Sequence, residues 1–400
     1  MSTASDAFDG WIRTGFVQMN TELEALYFVQ DDRSNVDGTG DAIKAALHAE
    51  GDAHAEALAS EGNTGGGFDS AFDVLGNVGL YMAAMRRHEL TNPAREERSP
   101  LRAASSLALQ AGASIGMAPR MATAHLTTRN RAIGGVRKSF TSLSDEFLFI
   151  DENARAIAGM QRAADALYRI QPLGIGNPVA DGLLSAAAAE LRAVAVVNAR
   201  LAATLNTDRF FFSVRPYYKP YRVGRQEFRG ANGGDFSGIN ELDLALGLLS
   251  ARDPSYAHLI TDKMSFMPPS DQARLRECMQ YPSLLDLLLA EIEGPRTPAL
   301  ETNARLLLEV TDAFADTARQ HHHLFVERYV AGPSEALAPV HKAQVTASGP
   351  PLEVLMRALE GLRDARTAAP GLAGSRDADH RKIRRWLAKA GSCAGGSASV

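Results

Sequence analysis

The sequence predicts an all-α protein. Apolar residues along its long segments recur at intervals of three and four, and alanine and leucine dominate those segments. No stretch alternates polar and apolar residues convincingly, as a half-buried strand would. "VADGLLSAAAAELRAVAVVNARLAATL", from Val179 to Leu205, is the clearest long helix. The same periodicity predicts helices over Asp69 to Arg87, Leu101 to Gln110, Arg120 to Asn130 and Glu146 to Ile170. Further helices are expected over Ile239 to Leu249, Ala299 to Val330 and Leu352 to Arg366. "SEGNTGGG" breaks the chain after a polar first stretch. "LGIGNPVADG" and "RPYYKPYRVGRQEFRGANGGDFSG" are the long internal irregular segments. A non-repetitive loop as long as the second is usually functional or disordered, and its aromatic residues disfavour disorder. The expected organisation is a small N-terminal helical domain over 1–115, a large helical domain over 116–366, and a loose tail over 367–400 with one short basic helix near Trp386.

Composition narrows the classes of function. The 400 residues are 45% apolar and 22% charged, with a net charge of −5. That balance suggests neither a nucleic-acid nor a membrane partner. No apolar run is long enough to span a bilayer, and "MSTASDAFDGWIRTG" lacks the basic flank and apolar stretch of a signal peptide, so a cytoplasmic location is expected. Cys278 and Cys393 lie far apart, which argues against a disulfide framework or a thiolate zinc site. The chain has no C-x-x-C-H, so any haem would be held without thioether links.

Three segments could carry chemistry. In "RQHHHLFVERYV", α-helical geometry groups His322 with Ala315, Ala318, Phe325, Val326 and Tyr329, an apolar face. His323 falls with Arg319, Gln320 and Glu327 and faces water, while His321 is intermediate. A buried His322 is either a hydrogen-bonded core residue or a ligand; zinc is disfavoured because no histidine follows at i+4. "EFRGANGGDFSGINELDLALGL" is a glycine-rich loop opening a helix, able to hold an anion on backbone N–H groups or simply needing the freedom of glycine. "DRFFFSVRPYYKPYRV" sets arginines beside an aromatic wall. That suits a carboxylate attached to a planar ring, or else an aromatic core with arginines paired at its edge.

Taken in order, these segments resemble indoleamine 2,3-dioxygenase, of the haem-dependent tryptophan dioxygenase superfamily, in patches from about Leu75 to Arg366. The resemblance implies non-covalent haem b with His322 as iron ligand, seven residues before Tyr329, and with Phe325 and Val326 beside it. It implies that Phe210 stacks on a substrate ring, Arg215 binds an amino-acid carboxylate and Tyr218 takes a pocket position that is aliphatic in the family. Ala231, Asn232 and Gly233 match the loop beside the haem edge, and "FMPPSDQARLREC" matches a proline-proline helix start. Leu126 and Thr127, beside His125 in "ATAHLTTRNR", fall on the distal side of the pocket.

Departures from the family also matter. Phe147 matches a distal aromatic, but Asp151 stands where the family usually has a small residue. Thr346 or Ser348 in "VTASGPPLEVLM" replaces a threonine-and-glycine loop over the substrate. "RPYYKPYRVG" and similar stretches also resemble the pyrrolnitrin-pathway enzyme of this superfamily, which rearranges a chlorinated tryptophan.

The implied reaction is addition of O2, the co-substrate, across the C2–C3 bond of a small aromatic amino acid or indole, giving an N-formylkynurenine-type product. An unidentified reductant would keep the iron ferrous. The implied alternative is insertion of one atom or rebuilding of the ring, with Asp151 moving a proton or anchoring an amine. A haem sensor or carrier without turnover, or a cofactor-free helical interaction protein, are the readings of other classes.

Overall fold

A computed structural model describes residues 3–62, 66–331 and 352–394. It is all-α. Helices α1 (Thr3–Arg13), α2 (Gly15–Phe28), α3 (Asp41–Ser60), α4 (Phe68–Arg87) and α5 (Arg102–Ile115) come first. The long pair α6 (Ser144–Ile170) and α7 (Ala180–Thr204) follows. Next are α8 (Ser237–Ala245), α9 (Pro254–Met264), α10 (Pro269–Cys278) and α11 (Leu284–Glu291). Helix α12 (Pro298–Gln320) runs straight into a π-helical stretch, His321–Ala331. Helices α13 (Leu352–Arg366) and α14 (Asp377–Ala394) close the described chain. Among the described residues no helix is long and apolar enough to cross a membrane.

Local chemistry sets many of the boundaries. Prolines 254, 269 and 298 open α9, α10 and α12, where the missing N–H costs nothing. Side chains of Asp253, Ser283 and Thr297 accept the first free amides of α9, α11 and α12. Gly116, at φ 66°, ends α5 in the left-handed cap that glycine favours.

Packing forms several apolar clusters. One gathers α1–α5, extends to Ile150 and takes in Tyr217, Tyr221, Val223 and Ala231. A second joins α6, α7, α11 and α12. Helices α6 and α7 pack closely at Gly159, where an added Cβ would stand 2.7 Å from Val194 Cγ2. A smaller cluster joins Leu201, Leu205, Phe210, Val214 and Tyr329, with Phe149, Tyr218 and Phe325 against it.

Some expectations from the sequence need correction. Arg120–Asn130 is not a helix; it holds only a 3-10 turn over Thr123–His125. Its backbone is committed elsewhere: Met121 N–H donates to Tyr221 Oη, and Ala122 N–H to His125 Nδ1. Two strands, Tyr221–Val223 and Gln226–Phe228, pair antiparallel where none was expected. Gly224, at φ 58°, supplies the positive dihedral of that two-residue turn. The polar first stretch contains α1, α2 and α3. Near Trp386 the helix spans Asp377–Ala394, and its Ile383 is fully buried.

Candidate functional site

The aromatic wall comes from the segment after α7. Asn206 caps a turn by accepting from Arg209 N–H; Phe210–Val214 then forms a π-helical stretch and Arg215–Tyr218 a 3-10 turn. Such irregular turns occur often at functional sites. The Phe210 ring lies 4.7 Å from Phe149 and 5.7 Å, edge-on, from Tyr329. Tyr218 meets Phe149 edge-on at 6.0 Å, and Phe325 stacks on Tyr329 at 6.1 Å. Phe210, Tyr218 and Phe325 are thus brought together, although Tyr218 and Phe325 are only partly covered.

Arg215 ends this wall. Its guanidinium lies 5.4 Å from the Phe211 ring centre and, among the described residues, makes no hydrogen bond or ion pair. Desolvation lowers its pKa to about 10. Lys219, four residues on, likewise makes no hydrogen bond or ion pair among the described residues. Desolvation, followed by repulsion from Arg86 and Arg87, brings Lys219 to about 7. Both side chains are half-buried, and a cation drawn partly out of water without a paired carboxylate favours an anionic ligand.

His322 is buried and His323 exposed, as α-helical counting predicts, although the stretch from His321 winds as a π-helix. His321 falls on the Phe325 side, as an i,i+4 neighbour does, their rings 6.2 Å apart. It is exposed, yet desolvation lowers its pKa to about 4, with repulsion from Arg366, His322 and Lys263 adding to the effect. His322 is the buried member, 3% exposed. Its Nδ1 has no partner, its Nε2 is 3.4 Å from Glu327 Oε1, and Arg363 is the nearby cation acting on it. His323 is exposed, 3.1 Å from the same Glu327 oxygen. Val326 is buried.

The glycine-rich loop closes another side. Ala231 is buried, whereas Asn232 and Gly233 are open to solvent. Thr123 Oγ1 donates to Asn232 O at 2.7 Å, and Asn232 Oδ1 accepts from Gly234 N–H at 2.9 Å. A Cβ on Gly233 would lie 3.9 Å from Asn153 Oδ1, and one on Gly234 would lie 3.3 Å from Lys263 Nζ. Lys263 makes no ion pair among the described residues, and desolvation lowers its pKa to about 8.

Along α6 the side towards the Phe210 wall and the glycine-rich loop carries Phe149 and Asn153. Asn153 donates back to Phe149 O at 2.7 Å, one turn away. Phe147 and Asp151 turn instead towards Arg137, which forms an ion pair with Asp151 and lies over the Phe147 ring at 5.6 Å. Arg155, four residues after Asp151, pairs with Glu152. The structure does not bring Phe147 or Asp151 onto the Phe210 wall; their shift by two residues from Phe149 and Asn153 escaped sequence reasoning because both pairs keep the i,i+4 spacing. Asn153 had no signal of its own in the sequence.

His125 serves the fold. Its Nδ1 accepts from Ala122 N–H at 2.9 Å, its Nε2 lies 3.0 Å from Phe72 O, and its ring stacks on Phe72 at 3.9 Å. Burial holds this imidazole neutral, its pKa near 3. Leu126 is buried in the N-terminal cluster, and Thr127 Oγ1 donates to Thr123 O. Thr346 and Ser348 lie outside the described residues.

An all-α scaffold with an aromatic wall, unpaired half-buried cations and a neutral imidazole has the equipment of a site for flat, acidic ligands. Residues 2–387 match the family described as monodechloroaminopyrrolnitrin synthase PrnB, and the chain belongs to that family. It is a family of enzymes of secondary metabolism whose substrate derives from tryptophan. The likeness to indoleamine 2,3-dioxygenase stays a resemblance.

Proposed function

We propose that the protein is a haem-dependent oxygenase that binds a tryptophan-derived amino acid and rebuilds its indole ring, in keeping with the synthase named by its family. The observation that carries the amino-acid part is Arg215, a half-buried guanidinium with no hydrogen-bond or ion-pair partner among the described residues, at the end of the Phe149–Phe210–Tyr218 wall. A planar guanidinium matches a carboxylate with two parallel hydrogen bonds, and the rings beside it suit an indole face. A haem carrier without turnover has no use for such a clamp.

The residues present fit a haem. A neutral imidazole is the form that ligates iron. His321 is neutral and accessible beside Phe325, and His322 carries a buried ring nitrogen with no partner among the described residues. One of this adjacent pair would hold the iron. Geometry favours His321, on the same side as Phe325 and near Lys263; the unpartnered Nδ1 of His322 and its spacing to Tyr329 favour the second reading. When bound, haem supplies activation of O2, the chemistry that protein side chains lack. Arg215 fixes the carboxylate, the rings of Phe149 and Phe210 hold the indole in register, and Asn153 presents an amide towards Gly233. Orientation of this kind can supply several kcal/mol of the barrier, on the order of 7–11 in the best cases.

The spectrum of the purified protein with added haem gives the first test: a Soret band is expected, and none would sink the haem reading. His321→Ala should lose that band and His322→Ala should keep it; the reverse result selects the second reading. Ferrous protein incubated with tryptophan and its ring-chlorinated analogue under isotopically heavy O2 then identifies the reaction. A rearranged product supports the proposal. An N-formylkynurenine-type product carrying both heavy atoms would instead make the enzyme a plain dioxygenase.

A further inference from the structure

Helix α13 is the one long helix among the described residues that buries none of its own residues. Its apolar positions Leu352, Leu355, Met356, Leu359 and Leu362 recur at three and four, yet each is only half-buried. Glu353, Val354, Arg357, Ala358, Glu360 and Gly361 are exposed, and Val354 keeps 46% of its surface. Of the apolar face, only Leu362 packs against a buried cluster, that of Tyr256, Ile260 and Leu275.

The C-terminal end of α13 is held differently. Arg366 donates to both carboxylate oxygens of Asp243, at 2.8 and 2.7 Å, and Tyr256 Oη donates to the same carboxylate at 2.6 Å. Asp243 is fully buried, and Asn240 Nδ2 donates in turn to Tyr256 Oη at 3.0 Å. This chain of hydrogen bonds fastens the end of α13 to α8 and α9. Two residues on, Ala368 is buried in the second apolar cluster and takes the left-handed cap conformation, φ 47°. The helix is thus anchored at one end only.

Along its length α13 packs against α12 and the π-helical stretch that carries His322. Helix α7 also meets that stretch, but it buries residues from Ala180 to Ala202 and is built into the second cluster. Elements with few buried apolar contacts open locally at a much lower free energy than the whole fold. Of the two covers over the histidine, α13 is the one that can lift.

We propose that α13 is a strap: pivoting on the Arg366–Asp243 clasp, its Leu352–Gly361 part lifts from the π-helical stretch, opens a way to the buried His322 and closes again. The inference does not need the haem reading; it concerns access to the histidine pair which that reading uses.

The test uses ligand-free, full-length protein, followed by hydrogen exchange with mass spectrometry and by carbethoxylation of histidines with diethyl pyrocarbonate. Amides of α13 should exchange at least about tenfold faster than those of α7 and α12, as local opening requires. His322 should react more slowly than the exposed His323, at a rate set by the opening of α13. Leu355→Ala combined with Leu359→Ala, which loosens the strap and leaves the clasp, should speed both α13 exchange and His322 modification several-fold while α6, α7 and α12 keep their protection. Arg366→Met should do the same by releasing the pivot, and Arg366→Lys should restore part of the protection. If α13 in the parent exchanges as slowly as α12, there is no strap. Faster α13 exchange in the leucine variant with no change at His322 would show that the helix does not guard the histidine. A rise in exchange across all helices in that variant would make α13 part of the common core. Either result overturns the proposal, even if Arg366→Met proves too unstable to study.

Discussion

Arg87, at the end of α4, is buried and Arg215, at the start of the 3-10 turn, is half-buried, but among the described residues only Arg87 has a carboxylate. It grips Glu24 through two hydrogen bonds of 2.7 and 2.9 Å. The same care extends through the N-terminal cluster. Lys138 lies 2.9 Å from Asp9 and 3.1 Å from Asp73, and Arg13 is 2.6 Å from Asp9. His88 joins Tyr27 Oη at 3.0 Å to Asn20 Oδ1 at 2.7 Å. Arg215, Lys219 and Lys263 have no such partners among the described residues. Buried charge that is matched serves architecture; buried charge left unmatched is kept for a ligand, at some expense to the stability of the empty protein.

The largest expected effect tests the matched side. Glu24→Gln leaves Arg87 enclosed without its counter-charge and should cost about 3–5 kcal/mol in urea unfolding. Arg215→Leu, measured the same way without ligand, should leave stability unchanged or raise it. Equal losses from both substitutions would break the comparison.

Next in size is the effect on the ligand. Arg215→Leu should weaken binding of the amino-acid substrate by about tenfold to a hundredfold, or roughly 1.5–3 kcal/mol. Haem retention should not change. The decarboxylated amine should bind parent and variant alike; a parent that binds the amine as well as the amino acid would remove Arg215 from the site.

A smaller effect should appear in the pH dependence of the ligand-free protein. Lys219 has its pKa depressed to about 7 by burial, then by Arg86 and Arg87, from an ordinary value of 10.5. Between these values the unfolded chain binds more protons, so the Lys219 contribution to stability rises with pH from about 7 to about 10.5. Its slope is at most about 1.4 kcal/mol per pH unit. Lys219→Met should flatten the rise in unfolding midpoint across that window. A profile identical to the parent's would mean that Lys219 is solvated or paired in solution.

Smallest is Asp151→Ser. Its partner Arg137 is 35% exposed and Asp151 itself 33%, so the ion pair is worth less than about 1 kcal/mol. Product identity should match the parent. A changed ratio of one-oxygen to two-oxygen product would return Asp151 to the chemistry that its place in the sequence suggested.

Much of the helical framework was legible. Over α4, α6, α7 and α13 the apolar period reproduces the observed helices to within a residue or two, because long amphipathic stretches bury one face whatever they pack against. In α3 the buried positions include Lys44, Gly51 and Ala55, which carry little hydrophobic signal. The Arg120–Asn130 stretch has helical spacing but spends its amides on Tyr221 and His125, partners distant in sequence or set by a turn.

At the site, residue types and the facing of His322 and His323 could be read, whereas the pairing of charges could not. The sequence by itself determined that an arginine follows a run of phenylalanines, that histidines stand together near the end of a long helix, and that glycines interrupt a loop before another. Only the tertiary structure decided that, among the described residues, no carboxylate pairs with Arg215 or Lys263, since pairing depends on which elements meet. It also decided that the stretch from His321 winds as a π-helix, although the buried His322 and the exposed His323 fall where α-helical counting puts them.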